Sequence, residues 1–187
     1  MPNLYIIAGP NGSGKSTFAQ EFLPKFAKCR HFLNTDLIAL GLSPFDPTEV
    51  RLKAGRLLLS QINDFIKSKQ DFAFESTLAG KTYISLIKKV KKKGYSVHIF
   101  FLWVPDVRLA KARIKQRVRN GGHDVPEEDI DRRFIRSRRN FISYYRDLSD
   151  TWIVFDNSSD KSKEIVKCNS GNMTILDKNS YHQFEDK

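Results

Sequence analysis

GPNGSGKS, residues 9–16, lies between an apolar run and an amphipathic segment. It fits the spacing G-x-x-x-x-G-K-[ST], in which glycines let the backbone curl around an anion and point its N–H groups inward. The preceding NLYIIAG predicts a buried strand, and residues 15–27 predict a helix, whose N-terminus adds the positive end of its dipole. Strand, loop and helix in this order predict a site for the phosphates of a nucleoside triphosphate.

The loop residues have separate expected roles. Lys15 is long enough to reach the β- and γ-phosphates, and the Ser16 hydroxyl is placed to bind Mg²⁺. The predicted ATP-binding residues of the loop are Gly9, Pro10, Asn11, Gly12, Ser13, Gly14, Lys15, Ser16 and Thr17.

Length and composition favour one soluble domain. The chain has 187 residues, of which 40% are hydrophobic and 28% charged, values that are ordinary for globular proteins. No apolar run approaches the roughly 20 residues that span a bilayer. Cys29 and Cys168 are the only cysteines, which argues against a disulfide framework and predicts a reducing, cytoplasmic setting without membrane contact.

The net charge of +11 has two readings. A basic face attracts nucleic acid, whereas a basic pocket handles the phosphates of small molecules. Most of the excess lies in residues 88–94 and in the arginine-rich span 108–146.

The order of predicted elements indicates an α/β fold. Strands are expected at 3–9, 31–36, 71–77, 96–104 and 151–158, with amphipathic helices between them. Such alternation predicts a five-stranded, mainly parallel sheet with helices on both faces, in three layers.

Division of the chain follows from the same pattern. Residues 1–158 form the expected core, including a helical lid at about 107–148. Residues 159–187 are expected to form a terminal hairpin and tail within the same single domain, with the turn at 169–172 and a loosely ordered ending.

Polar residues follow the predicted strands, where ligands gather in parallel sheets. Asp36 is a candidate general base, although it could instead cap the next helix or hold Mg²⁺ through water. Glu75 could hold a substrate hydroxyl, a water on Mg²⁺ or a buried structural bond. Asn157 is predicted either to bind the adenine of ATP or to form a simple turn.

The phosphate loop alone leaves several function classes open. The guanine-reading N-K-x-D of GTPases is not found, and no strand ends in the Asp-Glu of ATP-driven motors. These observations favour a kinase that phosphorylates a hydroxyl of a small metabolite. A nucleoside or polynucleotide 5'-kinase, or a nucleotide-dependent nucleic-acid-binding module, remains an alternative because of the positive charge.

Four blocks together resemble the bacterial zeta toxin family of small P-loop kinases: GPNGSGKST, NTDLI, FESTLAG and RVRNGGHDVPEEDIDRRFIRSRRNF. The resemblance covers roughly residues 4–157. It implies an adenylate-kinase-like core with an arginine-bearing lid, ATP and Mg²⁺ as cofactors, and UDP-N-acetylglucosamine as the acceptor. It also implies a toxin role and an antitoxin partner that covers the nucleotide site.

The same resemblance suggests residue roles. Lys15 and Asp36 are implied to be catalytic, Asp36 as the base, together with Arg117 and Arg133 as lid arginines that approach the transferring phosphate. Glu75 and Thr77 match the substrate-side Glu-x-Thr of the family.

Further positions are less strongly marked. Arg56 is implied to lie in the acceptor pocket, and Arg113 or Arg136 could fill the role of either lid arginine. Ser76 stands where the long toxins have glycine. His123 is expected to make a hydrogen bond that stabilises the lid turn.

Overall fold

The computed structural model describes residues 1–122 and 124–186, which form a seven-stranded sheet. The strand order is β2-β3-β1-β4-β5-β6-β7. The first five strands are parallel, and β6 and β7 are added antiparallel at one edge. The strands are β1 (Asn3–Ala8), β2 (Phe32–Leu33), β3 (Phe72–Ser76), β4 (Ser96–Trp103), β5 (Thr151–Asp156), β6 (Lys163–Asn169) and β7 (Asn172–Ile175).

Seven α-helices connect and cover these strands in the described ranges. α1 continues into a π-helical turn at Leu23–Ala27, and α6 continues through Phe141–Tyr145 and Arg146–Leu148. None of the described helices is long and apolar enough to cross a membrane. The helices are α1 (Lys15–Phe22), α2 (Thr35–Leu42), α3 (Arg51–Ser68), α4 (Thr82–Lys92), α5 (Val107–Arg119), α6 (Glu127–Asn140) and α7 (Lys178–Asp186).

Alternation along the buried strands produces two separate cores. In β1, Ile6 faces one core and Ile7 the other, because successive side chains of a strand point to opposite faces. The smaller core packs α1 against the sheet through Ala19. The larger core packs α3, α4, the end of α6 and α7 against the opposite face; its central side chains are Leu58, Ile62, Ile87, Val90, Phe101, Phe141, Tyr145 and Phe184.

The predicted α/β fold is confirmed, but the sheet has two strands more than expected. The predicted hairpin does form, and β6 pairs with β5 at Val154↔Val166. The hairpin therefore extends the main sheet. The division into a core and a lid stays a prediction, and His123 lies outside the described residues.

The expectation of a loosely ordered ending was wrong. Residues 178–186 form α7, and Phe184 is only 1% exposed. Its ring centroid lies 5.7 Å from that of Phe101 and 5.9 Å from that of Trp103. Arg146 Nη1 also lies 2.6 Å from Glu185 Oε1. One buried aromatic ring anchors a segment whose other residues are mostly polar, so hydrophobic content alone underestimated its order.

The second predicted strand was too long. β2 contains only Phe32 and Leu33, and the chain turns into α2 at Thr35. Asn34 is the N-cap of α2, so Asp36 lies in the first helical turn and not at a strand end. An asparagine before an apolar helical segment is a common N-cap signal.

We predict that Phe184→Ala lowers the free energy of unfolding by about 3–5 kcal/mol, because it leaves a cavity beside three aromatic rings. Gln183→Ala, on the exposed side of α7, is the matched control and should change it by less than about 0.5 kcal/mol. Urea denaturation followed by circular dichroism measures both. Equal effects of the two substitutions would show that α7 does not stabilise the core.

Candidate functional site

The phosphate loop joins β1 to α1 at the carboxyl edge of the parallel strands. Gly12 and Gly14 have φ angles of 78° and 84°, values that side chains other than glycine rarely adopt. A Cβ at Gly12 would meet the backbone of Ala110, and one at Gly14 would meet the side-chain amide of Asn157. Both glycines are therefore required by backbone conformation and by close neighbours.

Lys15 is a buried charge within this loop. It is 6% exposed, donates a hydrogen bond from Nζ to the Pro10 carbonyl at 2.9 Å, and lies 3.7 Å from Glu75 Oε1. Burial lowers the pKa of Lys15, while the charges of Glu75 and Asp36 raise it and that of Arg117 lowers it. Lys15 therefore lies near Asp36, Glu75 and Arg117, which the sequence analysis predicted as site residues from three other segments.

Glu75, at the end of β3, joins the loop to the neighbouring strands. Its Oε2 accepts hydrogen bonds from Ser16 Oγ at 2.7 Å and from Asn34 Nδ2 at 2.8 Å. Glu75 is 14% exposed. Its carboxylate faces Ser16, the predicted Mg²⁺ residue, and the three roles left open for Glu75 stay predictions.

Asn34 and Asp36 hold the other side of this cluster. Asn34 Oδ1 accepts from the backbone N–H of Asp36 at 2.8 Å and of Leu37 at 3.3 Å. The first turn of a helix favours a negative charge, and α2 carries the Asp36 carboxylate there. The capping role that the sequence left open for Asp36 belongs to Asn34.

The donor chemistry of the cluster suits Mg²⁺. Ser16 Oγ and the Glu75 carboxylate adjoin each other, and Asp36 lines the same cleft. Mg²⁺ prefers oxygen donors, retains waters and takes one or two carboxylates together with substrate phosphates. Within residues 1–122 and 124–186, no group of three or more His, Cys, Asp or Glu could bind a metal ion without other ligands. The residues therefore fit an ion that is bound jointly with a nucleotide.

Asn157, beyond β5, braces the phosphate loop. Its side-chain Nδ2 donates to the Ser13 backbone carbonyl at 2.6 Å. The backbone carbonyl of Asn157 accepts from Arg113 Nη1 at 2.7 Å. The turn at this point is made by Asp156, whose Oδ1 accepts from the Ser158 N–H at 2.9 Å. Asn157 therefore contacts the loop directly and lies beside it in the cleft, and its role toward adenine stays a prediction.

A cleft of about 910 Å³ is lined by Lys15, Ser16, Asn34, Asp36, Glu75 and Asn157. Arg117, Arg133 and Thr77 also line it, and their catalytic and substrate-binding roles stay predictions. Arg133 is held by Asp129, with Nη2 2.9 Å from Oδ2. Arg113 lines the cleft as well, whereas Arg136 is exposed and is not among the described lining residues.

The structure does not bring Arg56 to the cleft. Arg56 is exposed on α3, and the arginine of this helix that lines the cleft is Arg51, at its first residue. Arg51 also lines a smaller adjoining cavity of about 240 Å³ together with Asp36 and Phe45. Sequence reasoning missed Arg51 because the placement of α3 beside the cleft, which no local pattern specifies, decides which of its arginines lines the cleft.

The loop after β3 is held by hydrogen bonds from Asn140 and Tyr145, near the end of the arginine-rich span 108–146. Leu78 is buried with a φ of 51°, a conformation that costs a non-glycine residue energy. Asn140 Nδ2 donates to the Leu78 carbonyl at 3.0 Å, and the Tyr145 hydroxyl donates to the Gly80 carbonyl at 2.6 Å. These contacts hold Thr77 at the wall of the cleft.

Two polar atoms of the phosphate loop are buried without a hydrogen-bond partner among the described residues. They are Asn11 Oδ1 and Ser13 Oγ. Buried polar atoms are usually paired, so a polar ligand at the loop could satisfy them.

Comparison with known proteins assigns the chain to a family. The family model described as Zeta toxin matches residues 48–179, a range that begins after the phosphate loop. A protein of Haemophilus influenzae (strain ATCC 51907 / DSM 11121 / KW20 / Rd), described as uncharacterized, is 34% identical over 129 residues. That alignment covers 67% of this chain and 88% of the relative.

Solved structures share the fold at low sequence identity. The AvrRxo1-ORF1:AvrRxo1-ORF2 complex with sulphate ions contains a chain with a TM-score of 0.80 and 16% identity, covering 98% of this chain and 63% of that one. The chain thus spans less than two thirds of that relative's length. A chain of the PezAT chromosomal toxin-antitoxin system of Streptococcus pneumoniae has a TM-score of 0.69 and 15% identity, covering 100% and 80%. With its phosphate loop, parallel sheet and family match, the chain belongs to the Zeta toxin family.

Proposed function

We propose that this protein is a kinase that transfers the γ-phosphate of ATP, bound with Mg²⁺, to a hydroxyl of a small metabolite. The observation that carries the proposal is the cluster of buried Lys15 with the partly buried Ser16 and Glu75 at the phosphate loop, with Asp36 in the same cleft. Phosphoryl transfer needs few covalent steps from the protein, and positioning with charge stabilisation supplies most of the catalysis.

Each side chain has a proposed task. Lys15 binds the β- and γ-phosphates, and backbone N–H groups of the loop from Asn11 to Thr17 hold the remaining oxygens. Asp36 accepts the proton of the attacking hydroxyl, because a carboxylate that lines the cleft can act as a general base. Thr77 and Arg51, which also line the cleft, contact the acceptor.

The Mg²⁺ ion, when bound with ATP, neutralises charge on the β- and γ-phosphate oxygens. Ser16 Oγ and the Glu75 carboxylate, which are 2.7 Å apart at the closest atoms, are the residues that would hold it directly or through water. Glu75 thus receives a role on the metal side of the cleft in this proposal.

Arg117 and Arg133 are proposed to stabilise the charge that develops on the transferring phosphate. Both come from residues 107–148, the segment proposed to close as a lid over ATP, and both line the cleft. A positively charged group inserted at this point contributes about 10³-fold or more in related reactions. Arg113 is proposed to act differently, because its guanidinium already binds the carbonyls of Asn157 and Ser158.

The acceptor and the biological role follow from the family. We propose a UDP-amino sugar as the acceptor, a toxin role, and an antitoxin protein that covers the cleft. The structure of AvrRxo1-ORF1:AvrRxo1-ORF2 with ATP, and the toxin-antitoxin system PezAT, are the relatives that support ATP use and such a partner. The net charge of +11 keeps a polynucleotide 5'-kinase as the competing candidate.

Labelled ATP distinguishes these candidates. We expect label in UDP-N-acetylglucosamine after incubation with wild-type protein and Mg²⁺, and none with Lys15→Ala, which removes the phosphate-binding charge. Lys88→Ala, on the exposed face of α4, is the matched control and should transfer at the wild-type rate. Label in RNA or DNA ends would support the competing candidate, and label in no acceptor would contradict the kinase proposal.

We expect Asp36→Asn to lower turnover at least about 100-fold while leaving the dissociation constant for ATP nearly unchanged. The amide cannot accept the proton, but the Asn34 cap that holds this helix turn is retained. Steady-state kinetics measures turnover, and calorimetry measures the dissociation constant for ATP. Asp64→Asn, at an exposed side chain of α3, is the control. Turnover close to that of wild type would remove the base assignment.

Arg117→Ala and Arg133→Ala should each reduce kcat by about 10³-fold, because each removes a charge at the transferring phosphate. Arg136→Ala changes a neighbouring exposed arginine of α6 and should leave kcat within about twofold. Single-turnover measurements at saturating ATP separate this effect from binding. The same loss in all three variants would point to a general charge effect and contradict the specific roles.

A further inference from the structure

The side chain of Asn34 uses both ends of its amide group. It is 6% exposed and lies between the start of α2 and the end of β3. Its Oδ1 accepts from two backbone N–H groups of α2, and its Nδ2 donates to Glu75 Oε2 at 2.8 Å and lies 3.5 Å from Ser16 Oγ. One rigid planar group therefore touches both halves of the proposed active site.

The orientation of this amide is determined by its partners. Helix N–H groups require an acceptor, and the Glu75 carboxylate requires a donor. The opposite orientation would place the amide oxygen against Glu75 Oε2 and the NH₂ group against the N–H of Asp36. All of the hydrogen bonds would be lost, so neither end can replace the other.

A capping role alone would not need an asparagine. Serine, threonine and aspartate also provide the oxygen that an N-cap needs. The bond from Nδ2 to Glu75 joins segments that are 41 residues apart in the sequence and contributes nothing to the cap. Because its acceptor is a carboxylate in a largely buried position, this bond is of the stronger, charge-assisted kind.

We infer that Asn34 is a positioning residue for phosphoryl transfer. It fixes the helix turn that carries Asp36 relative to the carboxylate of Glu75 and the hydroxyl of Ser16. The proposed base and the proposed Mg²⁺-side oxygens thereby keep a constant separation. This inference rests on the proposed kinase function, in which Asn34 itself touches no reacting atom.

Two substitutions separate the two ends of the amide. Asn34→Ser keeps an oxygen for the cap but loses the donor to Glu75, so kcat should fall about 10- to 100-fold while KM for ATP stays within about threefold. Asn34→Ala loses both ends and should lower Tm further than Asn34→Ser does. Asp177→Ala removes the side chain that accepts from the Ser180 N–H at the start of α7. It is the control and should lower Tm without changing kcat.

A double-mutant cycle tests whether Asn34 acts through Glu75. The variant that combines Asn34→Ser with Glu75→Ala, which removes the acceptor, should have a kcat no lower than Glu75→Ala alone, and the Tm losses of the ligand-free proteins should be less than additive. A wild-type kcat for Asn34→Ser, or independent effects on kcat, would overturn the positioning role. Additive Tm losses would overturn the contact itself, whatever the activity. Wild-type protein that transfers no phosphate would overturn the kinase proposal and the positioning role together, even if the Tm losses were coupled.

Discussion

The cleft is lined by a buried lysine, Lys15, whose charge must be compensated by its surroundings. Lys15 is almost fully removed from water, and an unpaired buried charge is costly. The Pro10 carbonyl and the Glu75 carboxylate compensate it in part. Burial still lowers the Lys15 pKa, so a further anion at this position would be stabilising. A lysine held this way suits the phosphate-binding role proposed for it, and it lies where the phosphate loop and β3 converge.

The strand order of the sheet brings the ends of these segments together. β1 lies between β3 and β4 in the sheet, so the loop after β1 adjoins the end of β3, where Glu75 lies. β2 pairs with β3 on the outer side and brings Asn34 to the same carboxylate. β5 lies beyond β4 and delivers Asn157 to the back of the phosphate loop. Ligands bind at the carboxyl ends of parallel strands for this reason, and here four strand ends contribute to one polar network.

The features that were predicted from the sequence are those that short local patterns of residues determine. The phosphate loop, the α/β alternation, the two helices that carry Arg117 and Arg133, and the hairpin turn all depend on local spacing. What it missed depends on tertiary contacts. The placement of α3 against the rest of the fold decides that Arg51 and not Arg56 lines the cleft, and Phe184 anchors an otherwise polar ending. The two-sided hydrogen bonding of Asn34 requires β2 to lie beside β3, which no local pattern in NTDLI specifies.

Calorimetric titration of ATP tests the account most directly, with Mg²⁺ in one series and a chelator in the other. The account predicts one binding site per chain and clearly tighter binding with Mg²⁺, because the ion would join the nucleotide to Ser16 and Glu75. Absence of binding in both series, or affinity that does not depend on Mg²⁺, would contradict the assignment of this cluster as a cradle for the nucleotide and its metal ion.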